Sequence, residues 1–187
     1  MYPFPEHIKD ARVMVFIDGE NLAIRYGAIL GGSQALPQVR YEKGVYVWAP
    51  LLNTPNHRTC DTIRRHYYTA VQGSDEVRQK THDDLKAIGI EAPRVFRKDK
   101  TRGSKRVDIS LAVEMLTHAH RRNYDLAVLV AGDEGYVPLV EAVASEGRRV
   151  AVWFFEHGLS PQLRNAADHF FDVSKVLLGE HADRHLK

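Results

Sequence analysis

The 187-residue chain is 44% hydrophobic and carries a formal charge of only +2, which predicts one globular domain with a sizeable core and excludes a disordered chain. No apolar run approaches the roughly 20 residues that span a bilayer, and residues 1–10 lack the basic start and long apolar centre of a secretory signal, so the expected setting is soluble and cytoplasmic. The single cysteine, Cys60, excludes an intrachain disulfide and a cysteine-cluster zinc site, and is expected to be structural.

In chain order, the first strong signal is Val13-Met14-Val15-Phe16-Ile17, five apolar residues ending in Asp18. A strand apolar on every side belongs in a parallel sheet covered on both faces, and such sheets bind ligands beyond their carboxyl ends. Asp18 is therefore either a cap for the next helix or a site carboxylate. Gly19 allows a sharp turn, and Asn21 either caps the following segment or points into the same crevice. Residues 22–30 read as a helix stopped by Gly31-Gly32. Between 33 and 58 the signals conflict: Val45 and Val47 alternate like a strand, Trp48, Leu51 and Leu52 are spaced like a helix, and three prolines interrupt. This stretch reads as a partly ordered insertion.

Residues 63–71, rich in tyrosine and β-branched side chains, predict a second strand, and 75–88 a surface helix with a thin apolar face of Val77, Leu85 and Ile88. A third strand at 90–97 contains Pro93 and leads into a loop, after which Ser104 can cap a helix to about residue 122. Val107, Leu111, Met115 and Ala119 give that helix a broad stripe for packing on the sheet. A fourth apolar strand at 125–130 ends in Ala131-Gly132-Asp133, repeating the pattern at Asp18. Pro138 fits the first turn of a further helix to 146, and 150–155 predicts a fifth strand. Strict alternation of strand and helix implies a doubly wound parallel α/β sheet with right-handed crossovers. Residues 1–178 read as one domain with an insertion at about 31–60, followed by a tail at 179–187.

The chemistry follows from the strand ends. Asp18 and Asp133 would share one sheet edge, and Asp108, in the first turn of its helix, could face that edge. Each also has a plainer role: Asp108 complements the helix dipole, and Asp133 caps the helix that follows. Like charges held close together need a cation or a raised pKa to coexist. An oxygen-only set favours Mg²⁺ or Mn²⁺, and such an ion suits phosphodiester hydrolysis without a protein nucleophile. Arg94, Arg97, Lys98, Lys100, Arg102, Lys105 and Arg106 cluster just before Asp108, against the single acid Asp99, where they could contact a nucleic-acid backbone or form a solvated loop. His118 and His120 lie two apart on a helix and face different ways, so no metal is assigned to them. A P-loop, a G-x-S-x-G elbow and a G-x-G-x-x-G fingerprint are all missing from the sequence.

Taken together, Phe16-Ile-Asp18-Gly-Glu-Asn21, Val107-Asp108-Ile-Ser-Leu111, Leu129-Val-Ala-Gly132-Asp133, Leu159-Ser-Pro-Gln-Leu163 and Ala167-Asp168-His-Phe170 resemble the NYN domain family, a branch of the PIN-like nuclease fold. The resemblance implies a three-layer sandwich around a parallel five-stranded sheet of order 3-2-1-4-5. It also implies a metal-dependent RNase-like active site with RNA as substrate, and with the oxygen-only acids the expected activity is an endoribonuclease using Mg²⁺ or Mn²⁺. By position, Asp18, Asp108 and Asp133 resemble the metal ligands, Asn21 the family's polar partner near the scissile phosphate, and Asp168 a further family position. Arg97, Lys98, Lys100, Arg102, Lys105 and Arg106 are the expected RNA contacts. Many relatives carry Ser-Gly-Asp and another Asp two residues later, whereas this chain has Ala131 and Gly135. That departure keeps open a non-catalytic RNA- or protein-binding module, and the same acids could serve a smaller phosphorylated substrate. No membrane partner is expected, and self-association is left open.

Overall fold

The five apolar residues before Asp18 do form the innermost strand. In the computed structural model, which describes residues 11–53, 60–98 and 105–179, β1 (Ala11–Asp18) pairs in parallel with β4 (Cys60–Val71) on one side and β6 (Leu126–Val130) on the other. β5 (Ala92–Arg97) lies outside β4, and β7 (Arg149–Phe154) and β8 (His169–Asp172) continue beyond β6. All pairings are parallel, giving the order β5-β4-β1-β6-β7-β8.

This corrects the expected count of five strands. The five expected strands hold their relative order, and the sixth adds an edge. Its His169-Phe170-Phe171-Asp172 is four residues long and half-buried throughout, too short to show the period of a strand. Asp168, just before it, accepts the Val150 backbone N–H at 2.8 Å and so pins this edge to β7. Pro93 is accommodated because β5 is the opposite edge strand.

The parity of β1 assigns its side chains. Val13, Val15 and Ile17 enter one core with Leu22 and Tyr26 of α1 (Gly19–Leu30), while Met14 and Phe16 enter the other with Val107, Leu111 and Met115 of α3 (Lys105–His120). Asp18 shares parity with Met14 and Phe16, so it emerges on the α3 face. α4 (Val137–Ser145), with Pro138 in its first turn as expected, covers the same face through Leu139, Val140 and Val143. α2 (Asp75–Ala87) is the expected surface helix, with Leu85 buried but Val77 40% exposed.

The described part of the insertion is ordered. β2 (Arg40–Glu42) and β3 (Tyr46–Trp48) form an antiparallel hairpin, followed by a 3₁₀ turn at Pro50–Asn53. The hairpin is bolted to β4 by Tyr67, whose hydroxyl donates to the Val47 carbonyl at 3.1 Å and accepts the Val47 N–H at 3.0 Å. The short strand and the turn together account for the mixed signal at residues 45–52.

Gly19 is helical, so its role is space rather than an unusual backbone angle. A Cβ there would lie 1.9 Å from the Tyr67 ring. Gly19→Ala is therefore expected to destabilise the fold by about 1–3 kcal/mol through overpacking, read as a lower urea midpoint with an unchanged m-value.

Candidate functional site

Strand order reverses at β1, whose neighbours β4 and β6 come from later parts of the chain on opposite sides. The carboxyl ends of β1 and β6 therefore flank a topological switch point, the usual crevice for ligands in such sheets. Asp18 ends β1, Asp133 follows β6, and Asp108 enters from the first turn of α3. All three line one cleft of about 500 Å³, together with Tyr136 and apolar side chains of α3 and α4.

Asp18 is only 4% exposed; it takes the capping role read from the sequence and also lines the cleft. One oxygen, Oδ1, accepts the Asn21 N–H at 3.0 Å and caps α1, while Oδ2 accepts the Tyr136 hydroxyl at 2.8 Å. The same hydroxyl lies 3.4 Å from Asp108 Oδ1, so one phenol bridges two carboxylates. Burial pushes the Asp18 pKa up to about 6; the Asn21 and Tyr136 hydrogen bonds oppose this, and the charges of Asp108 and Glu20 add to it. Asp108 is also raised, first by partial burial and then by Asp133 and Glu20, against the Tyr136 hydrogen bond. Burial, reinforced by both carboxylates, raises the Tyr136 phenol, which stays protonated and donating.

Asp133 is exposed, and its Oδ1 accepts the Gly135 N–H at 2.7 Å, capping a 3₁₀ turn at Glu134–Tyr136. A Cβ at Gly135 would sit 3.2 Å from that oxygen. A side chain there would thus crowd the present position of Asp133. Asn21 Oδ1 accepts the Gly132 N–H at 3.1 Å, tying the start of α1 to the end of β6. Gly132 itself permits the close approach of Phe154, whose ring would lie 2.2 Å from a Cβ.

Two participants were not assigned a role from the sequence. Glu20 lies in the first turn of α1, with Oε1 2.5 Å from Lys98 Nζ and Oε2 buried without a hydrogen-bond partner. Its signal is position, two residues after Asp18, once α1 is seen to begin at Gly19. Tyr136 is three residues after Asp133, and only the tertiary fold reveals that its hydroxyl reaches Asp18.

The basic cluster is more neutralised than its sequence suggests. Arg94 pairs with Glu114 at 2.9 Å, Arg97 with Asp75 at 3.0 Å and Lys98 with Glu20, while Arg106 lies over the Phe96 ring at 5.2 Å. Lys98 thus reaches the acidic edge itself. Lys100 and Arg102 lie outside the described residues, as does the side chain of Lys105. Farther along α3, Glu114 also accepts the Tyr68 hydroxyl at 2.7 Å and lies 3.1 Å from His66 Nδ1. His66 is 2% exposed, and burial holds its pKa down to about 4.

The donors Asp18, Asp108 and Asp133 are all hard oxygens, and the orphaned Glu20 Oε2 adds uncompensated acceptor capacity, so the residues present suit Mg²⁺ or Mn²⁺ by chemistry. Among the described residues, no three His, Cys, Asp or Glu side chains stand grouped as a metal cage. The Tyr136 hydroxyl stands between Asp18 and Asp108.

Six parallel strands, helices on both faces and carboxylates at the switch point define a doubly wound α/β domain with an acidic edge site. The NYN domain model matches residues 12–177, and the chain belongs to the NYN domain family. The fold is similar to the crystal structure of a protein of unknown function, VPA0982, from Vibrio parahaemolyticus RIMD 2210633, with a TM-score of 0.64 and 18% identity. That likeness covers 93% of this chain and 99% of the other, and at this identity it speaks for the fold alone. Comparison with curated protein sequences gives no match.

Proposed function

We propose that the protein is a metal-dependent endoribonuclease that hydrolyses RNA phosphodiester bonds at the edge formed by Asp18, Asp108 and Asp133. The observation that carries this reading is the shared cleft at the switch point, in which burial and mutual repulsion raise two of the carboxyl groups. Family membership supports nuclease chemistry in general, and RNA as substrate extends it.

Asp18, Asp108 and Asp133 would hold Mg²⁺ or Mn²⁺. A bound divalent ion supplies Lewis-acid polarisation of the phosphate and a lowered pKa for the attacking water. The protein's own residues set the stage for this chemistry. Tyr136 and the Asn21 N–H fix the Asp18 carboxylate from two sides. Asn21 fixes the spacing of the two strand ends through Gly132. Lys98 offsets Glu20 and brings a positive charge to the acidic rim. Of the basic cluster, Arg97, Lys98 and Arg106 would contact the RNA backbone by giving up their present partners, with Lys100, Arg102 and Lys105 as the further proposed contacts, and affinity would fall steeply with salt.

A second reading, a non-catalytic RNA- or protein-binding module, has one observation in its favour: Gly135 offers no carboxylate, and Asp133 Oδ1 is already engaged by its N–H. Incubating single-stranded and structured RNA with the protein, with Mg²⁺ or Mn²⁺ and with chelator, separates the two. Internal cleavage that requires metal supports the first reading; tight binding without turnover supports the second.

A further inference from the structure

Each of the three acids already has a hydrogen-bond donor on it. Asp18 Oδ1 accepts the Asn21 N–H at 3.0 Å and Asp133 Oδ1 the Gly135 N–H at 2.7 Å, and both donors are backbone groups held in place by caps. The third donor comes from a side chain. The Tyr136 hydroxyl lies 2.8 Å from Asp18 Oδ2 and 3.4 Å from Asp108 Oδ1, on a residue only 5% exposed.

We propose that Tyr136 gates the metal centre: its hydroxyl stands where a divalent ion shared by Asp18 and Asp108 would stand, and it must leave before those acids can ligate one. The inference rests on reading the acids as ligands of Mg²⁺ or Mn²⁺, and adds the residue that sets how tightly the ion is held.

A phenol carries a single proton, so it satisfies one carboxylate well and the second poorly. The longer contact, to Asp108, is the poorer one. A divalent ion attracts both acids at once. With Asn21 on Oδ1 and Tyr136 on Oδ2, both Asp18 oxygens are engaged, so coordination on the side facing Asp108 competes with the phenol. The two occupants exclude each other, because the hydroxyl turns its positive hydrogen toward the place a cation would take.

Movement is closed to the backbone and open to the ring. The Tyr136 N–H donates to the Asp133 carbonyl at 3.2 Å, and α4 begins at the next residue with Pro138 in its first turn. The Tyr136 side chain lines the cleft between α3 and α4, so its rotation carries the hydroxyl off the acids toward open space. A hydrogen bond to an ionised group is stronger than a neutral one. Breaking it subtracts from the ion's affinity, and Tyr136 thereby sets the ion concentration at which the site fills.

The test compares the full chain with Tyr136→Phe, which keeps the ring and removes the hydroxyl. Mn²⁺ affinity, read by electron paramagnetic resonance of the free ion, is expected to rise about 10-fold or more in the variant. Urea midpoints at pH 7 give a second readout. The variant should fall below the native protein in chelator, where the acids have lost a donor, and approach it in saturating Mn²⁺, where the hydroxyl bonds neither acid in either protein. In native protein carrying ¹³C-labelled tyrosine, Mg²⁺ should shift the resonance that Tyr136→Phe deletes, along the same saturation curve as binding. Equal or weaker Mn²⁺ binding by the variant would overturn the gate, since the hydroxyl would then hold the acids without opposing the ion. So would Mg²⁺ binding that leaves the Tyr136 resonance unmoved, a result the native protein gives even where the variant fails to fold. Tighter Mn²⁺ binding by Tyr136→Phe, with no RNA cleavage by either protein, would sink the nuclease reading and leave the gate standing. Metal-dependent cleavage by the native protein, with unchanged Mn²⁺ affinity in the variant, would do the reverse.

Discussion

Asp108→Asn is expected to lower metal-dependent RNA cleavage by at least about 100-fold while leaving the fold intact. Removing one preorganised group that acts on developing charge commonly costs about 10²–10³ in rate. Asp108 is half-buried beside Asp18 and coupled to Asp133 and Glu20, so its loss removes charge from the centre of the set. Asparagine keeps the volume and can still accept from Tyr136, which separates charge from shape. The measurement is single-turnover cleavage of a labelled RNA in Mn²⁺, with circular dichroism and a urea transition as controls for folding. Equal rates in the variant and the native protein would remove Asp108 from the mechanism. Asp133→Asn provides an internal comparison: its side chain is exposed and one oxygen is already used by the Gly135 N–H. A smaller loss, of about 10-fold, is expected there.

Much of the sheet was legible because its signals are local. Five consecutive apolar residues ending in Asp18, and the similar run ending before Asp133, identify strands buried on both faces, and the parity of β1 turns Asp18 toward α3. The sixth strand escaped because a four-residue, half-buried edge carries too few positions to define a period. In the insertion, order depends on long-range bonds from Tyr67 and on Trp48 Nε1 donating to Asn53 at 2.7 Å, none of which propensity records. The site divides in the same way. Asp18, Asp108 and Asp133 announce themselves at element ends, and the structure brings them to one cleft. Tyr136 and Glu20 act through contacts across the sheet edge, and the partners that absorb Arg94, Arg97 and Lys98 lie far away in sequence. A run of basic residues therefore overstates the free positive charge available to RNA, with Lys98 turned toward the acids instead.

The second large effect concerns stability, because Asp18 is a charge kept where it is costly. Its pKa of about 6 in the folded chain compares with 3.8 for an ordinary aspartate, a gap equivalent to about 3 kcal/mol. Between those values the native state retains a proton that the unfolded chain has released. The contribution is thus fully present below about pH 4 and lost as pH rises through 6. In metal-free buffer, Asp18→Asn should match the native protein near pH 4 and exceed its stability by up to about 3 kcal/mol at pH 7. The amide oxygen can still cap α1 through Asn21, and the Tyr136 hydroxyl can turn to accept from the amide. His66 tilts the other way: buried and neutral with a pKa near 4, it favours folding more as pH rises toward its ordinary value of 6.5. The native stability curve alone therefore mixes opposing slopes, and the difference between native and variant, measured by urea titration at several pH values, isolates Asp18. Mn²⁺ should then close the gap at pH 7 by stabilising the native protein and not the variant, since a ligand that binds only the folded state raises its stability by mass action. If Asp18→Asn proves less stable than the native protein at pH 7, capping outweighs the cost of the buried charge. If it is more stable but Mn²⁺ leaves the gap unchanged, the charge at Asp18 serves something other than a divalent ion.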